Sequence, residues 1–89
     1  MSDREHVTEA QATACREIAQ AYIDRTYGSG WDVAVYPPGH EGDFWVLSLE
    51  LGEHYWPYEI GDDDDTVVWP AGVWTEAKNH FALALYPTT

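Results

Sequence analysis

"TEAKNHFALALY", residues 75–86, fits two architectures, and choosing between them decides the fold. Trp74, Ala77, Phe81, Ala84 and Leu85 match one face of a helix, whereas Phe81, Leu83 and Leu85 also alternate as in a strand. Ala, Glu, Lys and Leu are good helix formers. Residue type therefore tips the expectation to a short C-terminal helix, with a strand as the alternative.

Working towards the N-terminus, "VWT" (73–75) reads as a short strand entered through a tight "PAG" turn, and "TVVW" (66–69) as the strand before it. "HYWPYEI" (54–60) alternates in the same way, with Pro57 assigning it to a sheet edge. Gly52-Glu53 suits a two-residue hairpin turn. In "FWVLSLEL" (44–51), Trp45, Leu47, Leu49 and Leu51 make one apolar face. "PPGHEGD" is a loop, and "WDVAVY" (31–36) is a strand with Trp31, Val33 and Val35 on one side. Residues 7–27 form the remaining element. Thr8 is its N-cap with Gln11 as capping-box partner, Val7 and Ala12 make a hydrophobic staple, and Gly28-Ser29-Gly30 ends it. Val7, Ala10, Ala14, Ile18, Ala21 and Tyr22 define the expected buried stripe. The sum is one small α+β domain over residues 1–89, an N-terminal helix packed on an antiparallel sheet of four to five strands. The helix covers one sheet face, and Trp and Tyr on the other face would make an interaction surface.

Charge narrows the function classes. Sixteen Asp and Glu against four Lys and Arg give a net charge of -12. No basic residue stands between Arg25 and Lys78, a segment that holds Asp32, Glu41, Asp43, Glu50, Glu53, Glu59 and Asp62 to Asp65. Such a field repels phosphate, which argues against direct nucleic-acid binding and anionic membranes and for a basic protein surface. Cys15 is the one cysteine, so an internal disulfide or a thiolate metal site is out of reach, and its place in the helix suits a small buried residue. The first residues lack the apolar core of a signal peptide and no run reaches membrane-spanning length, so the expected location is cytoplasmic.

The motifs of chemistry are missing. Four adjacent aspartates diverge in direction and lack the alternate spacing of a calcium loop. His6, His40, His54 and His80 have no metal-ligand spacing, and no nucleophile elbow or phosphate loop occurs. An Asp62 to Asp65 metal site with His54, or Glu53 and Glu59 as an acid–base pair, ranks last. The expectation is a non-enzyme without cofactor or metal. Aromatic residues make 15% of the chain, more than one small core requires, and Trp and Tyr carry hot spots in interfaces. The candidate partner-binding set is Asp62, Asp63, Asp64, Asp65, Glu53, Glu59, Trp56, Tyr58 and Trp69.

The helix end and strand "AYIDRTYGSGWDVAVYP" (21–37), the strand "FWVLSLEL" and "EIGDDDDTVVWPAGVW" (59–74) together resemble the YrhB-like immunity proteins of bacterial polymorphic-toxin systems. The matching positions are Trp31, Val33, Val35, Gly61, Val67, Val68 and Gly72, within residues 10–75. Four aspartates replace the family's Gly-Pro-rich turn. The resemblance implies a protein that binds and blocks a toxin. The expected function is thus an acidic inhibitor, of the immunity or phage-type anti-defence kind, directed at a toxin, nuclease or nucleic-acid-binding protein. The alternative is a small domain whose acidity is an adaptation to high salt.

Overall fold

The computed structural model describes residues 6–40, 42–62 and 66–88. In chain order the elements are α1 (Glu9–Tyr27), β1 (Ala34–Tyr36), β2 (Trp45–Ser48), α2 (Trp56–Gly61), β3 (Val73–Asn79) and β4 (Ala82–Pro87). This is an α+β fold in which the helices share one face of a four-stranded antiparallel sheet, ordered β1-β2-β4-β3.

α1 starts as its sequence dictates. Thr8 Oγ1 accepts the Gln11 backbone N–H at 3.0 Å, and Gln11 Oε1 accepts that of Thr8 at 2.8 Å. Val7 and Ala12 are both buried, as a staple requires. The inward stripe is Ala12, Cys15, Ala19, Tyr22 and Ile23, whereas Ala10 and Ala21 are exposed. The expected stripe was thus rotated by one residue, about 100° of helix. Alanines lie on both sides of α1, so apolar spacing alone does not fix the angle. Packing does, by turning Ile23 and Cys15 fully inward.

Residues 75–86 are not a helix. They belong to the β3–β4 hairpin, whose turn is closed by the Phe81 N–H donating to Asn79 Oδ1 at 3.0 Å. β4 is a central strand between β2 and β3, and its alternation is what the fold uses. Leu83 pairs with Leu47 and Ala77, and Leu47 pairs with Val35, giving one apolar row under the helices. Hydrophobic contact across four strands outweighs helix propensity, which is worth only tenths of a kcal/mol per residue (~0.7 at most for ordinary residues).

Two expected strands are also corrected. Residues 54–60 do not form an edge strand, because Trp56–Gly61 is α2, with Pro57 in its first turn, where proline's fixed φ favours helix and its missing N–H costs nothing. Trp56, Pro57 and Ile60 turn inward together at helical spacing. The Gly52 turn forms, with the His54 N–H donating to Leu51 O at 3.1 Å, but it leads into α2 instead of a returning strand. Residues 66–69 keep their alternation: Val67 is buried, Val68 is 74% exposed and Trp69 packs half-buried on the core. Among the described residues no strand pairs with them, so the segment is an extended loop. The "PAG" turn is as expected, with Gly72 at φ 83° and the Val73 N–H donating to Pro70 O at 3.2 Å. Gln11 Nε2 donates to Ala71 O at 3.2 Å and so ties this turn to the start of α1.

Candidate partner-binding surfaces

The expected site residues divide between the surface and the core. Glu53 lies in the turn before α2, Tyr58 and Glu59 lie on its outward side, and Asp62 is its C-cap, where the Asp62 N–H donates to Glu59 O at 3.1 Å. All four are exposed. Trp56 is not a surface group: it is completely buried, and its indole N–H donates to Leu49 O at 2.6 Å. Trp69 is half-buried against the core. The reason lies in the change from strand to helix, since a strand would place Trp56 and Tyr58 on one face, while a helix separates them by about 200°. Asp63, Asp64 and Asp65 lie outside the described residues.

Tyr55, which stands outside the candidate set, joins this flank. It is 55% exposed, its ring centroid lies 5.9 Å from that of Tyr58, and His80 in the β3–β4 turn lies 5.6 Å away. Behind them the Tyr27 hydroxyl donates to Glu59 Oε1, and the Tyr27 ring packs 4.7 Å from His54. Burial, followed by the Glu59 hydrogen bond and charge, holds the Tyr27 hydroxyl well above its usual pKa. The flank thus combines carboxylates with two exposed phenol rings.

One cation reaches this end from outside the acidic segment. Arg25, in the last turn of α1, donates from Nη2 to Thr66 Oγ1 at 2.9 Å and lies 5.5 Å above the Tyr22 ring. The fold brings it beside the start of "TVVW", a proximity that counting charges along the chain does not reveal. Arg16 is engaged elsewhere, donating to Val33 O at 2.9 Å and Gln20 Oε1 at 3.1 Å. Every described carboxylate side chain belongs to an exposed residue. The ion pairs between described residues are His6–Asp43 at 2.7 Å and Lys78–Glu76 at 3.3 Å.

The second surface is the sheet face opposite the helices. Tyr36, Val46, Ala84 and Glu76 form one cross-strand row there, and Ala34, Ser48 and Ala82 another. Val46, Ala82 and Ala84 are fully buried yet stand apart from the helix-packed cluster. Large side chains close over them. Tyr86 stacks on Trp74 at 4.6 Å and meets Phe44 at 5.6 Å, and Tyr36 stacks on His40 at 4.1 Å. Lys78 Nζ sits 5.0 Å from the Phe44 ring centroid and 5.5 Å from that of Tyr86. Its pKa is raised, chiefly by a hydrogen bond with Tyr86, with Glu76 contributing. An aromatic outer face was expected from the surplus of Trp and Tyr. Trp74, Tyr86 and Lys78 come together on it only through the β3–β4 hairpin, in place of the expected helix.

Among the described residues no three His, Cys, Asp or Glu side chains converge as metal ligands, and no pocket is enclosed. Cys15 is buried, which pushes its thiol up to about 12 and leaves it protonated at neutral pH. No helix among them is long and apolar enough to cross a membrane. No family model matches the chain, and no curated protein or solved structure is significantly similar to it.

Proposed function

We propose that this protein is a stoichiometric inhibitor, of the immunity or phage-type anti-defence kind, which docks its α2 flank on a basic site of a toxin, nuclease or other nucleic-acid-handling protein. One observation carries the reading: Glu53, Glu59 and Asp62 gather with exposed Tyr55 and Tyr58 around a short, core-anchored helix. Carboxylates steer a cationic partner and accept its hydrogen bonds, while rigid phenol rings give contact area at low entropic cost. Trp56 and Ile60 lock the helix to the core, so the flank is organised before it meets a partner. The chain does this without catalysis of its own.

The test is co-expression with the product of an adjacent gene, followed by affinity measurement. Combined Glu53→Gln, Glu59→Gln and Asp62→Asn should weaken the complex about tenfold or more, roughly 1.4 kcal/mol, while the melting temperature holds. Affinity should also fall as salt rises through the range where the Debye length shrinks below about 10 Å. A complex indifferent to both changes would exclude the electrostatic role.

A second reading is favoured by one observation: carboxylates also lie away from α2, at Glu9, Glu17 and Asp24 on α1 and at Asp32, Asp43, Glu50 and Glu76. Spread of that kind suits a domain adapted to concentrated salt. Such a domain loses structure in dilute buffer, whereas a dedicated inhibitor keeps a sharp melt there.

A further inference from the structure

On the outer sheet face, Trp74 is the most exposed of the large apolar residues described there. Lys78 lies on Phe44 and Tyr86, and Tyr36 is paired with His40. Trp74 spends one side on Tyr86, at 25° between planes, and is still 46% exposed. On the same face of β3, two residues on, Glu76 is also exposed, and its side chain retains 53% of its surface despite the 3.3 Å contact with Lys78. This face already holds a cation in the way a partner's cation would be held, between rings and a carboxylate.

We propose that Trp74 and Glu76 form a receptor for an arginine side chain of the basic partner, separate from the α2 flank. The proposal rests on the reading that the partner is basic, and adds which cation it presents here. A guanidinium is planar, so it stacks on an indole face while its fork donates to a neighbouring carboxylate. An ammonium is a compact, strongly hydrated point charge with neither a plane to stack on the indole nor a fork to match the carboxylate. Charge favours the cation, because Glu76 lies on the face and Lys78 is the one Lys or Arg described there. Lys78 competes for Glu76, so it sets the strength of the site from within.

The probe is an octa-arginine peptide compared with octa-lysine, titrated into the full chain at about physiological ionic strength, where exposed charges beyond ~8 Å are screened. Octa-arginine should bind several-fold more tightly. Trp74→Ala should abolish that preference, and Trp74→Phe should retain part of it. Glu76→Gln should reduce octa-arginine binding more than octa-lysine binding. Lys78→Met should strengthen octa-arginine selectively, an outcome that loss of folding cannot produce. Equal affinity for the two peptides, or an arginine preference that survives Trp74→Ala in a chain with unchanged circular dichroism, overturns the proposal. If peptide binding is instead lost in the Glu53, Glu59 and Asp62 variant, the basic-partner reading stands and the Trp74 receptor falls.

Discussion

Replacing Trp56 by phenylalanine separates an anchoring role from a binding one. Trp56 is wholly buried, and its Nε1–H donates to Leu49 O just beyond the end of β2. Phenylalanine leaves that carbonyl without its donor, which costs about 1–3 kcal/mol. The smaller ring also removes about 40 Å³ of packing, worth about 1 kcal/mol at the usual cavity cost. Together these come to roughly 2–4 kcal/mol. A domain of this size holds about 4–13 kcal/mol in all, and each kcal/mol moves its melting temperature by about 4–8 °C. Thermal denaturation followed by far-ultraviolet circular dichroism should therefore show a fall of roughly 10–30 °C. Trp31→Phe supplies the control, because Trp31 is 44% exposed and its loss should cost within about 0.5 kcal/mol. A Trp56→Phe melt within about 3 °C of the parent, or no lower than that of Trp31→Phe, would refute the account of Trp56 as the pin of α2.

Cys15 should resist a thiol reagent in the native state and react only on unfolding, because its thiol is buried and pushed up to about 12 from an ordinary 9.0. A folded pKa above the unfolded one contributes stability that is complete below pH 9 and lost towards pH 12. Tyr27, shifted in the same direction, adds to that alkaline loss, so urea midpoints should be flat near neutrality and fall above about pH 9. Thr8→Ala removes the N-cap of α1 and should cost about 1 kcal/mol by equilibrium denaturation. Gly72→Ala should cost about 1–2 kcal/mol, since φ 83° disfavours a side chain and the new methyl would stand 3.0 Å from Gln11 Nε2. Both changes act on Gln11, so a double-mutant cycle between them should show coupling above about 0.5 kcal/mol.

The sequence made the local signals legible and the pairing illegible. The Thr8–Gln11 box and the glycine stop set the α1 bounds to within two residues because both are short-range hydrogen-bond and backbone effects. Alternation in Trp45, Leu47, Leu49 and Leu51 named the inner face of β2 and its extension, with Leu47 and Leu51 buried and the other two packed on the core. Residues 75–86 and 54–60 failed for one reason. Each has apolar spacing that serves two periods, and a partner outside the segment decides: Leu47, from a distant strand, for Leu83, and the Leu49 carbonyl across the Gly52 turn for Trp56. Glu53, Glu59 and Asp62 were found as surface residues because charge and turn position predict exposure, whereas Tyr58 was chosen as an aromatic and is exposed only because the helix turns it away from Trp56. Trp56 was misplaced because its direction depends on the helix that Pro57 opens. Trp74 needed the hairpin before it could be seen beside Tyr86.

The order β1-β2-β4-β3 has a kinetic consequence. β2 gains its second neighbour only from β4, more than thirty residues further on, whereas β3 and β4 are joined by a two-residue turn. Closing the long loop costs entropy before contacts reward it, while the hairpin closes in microseconds. The C-terminal hairpin should thus nucleate assembly, and β1 with β2 should remain uncommitted until β4 arrives as their template.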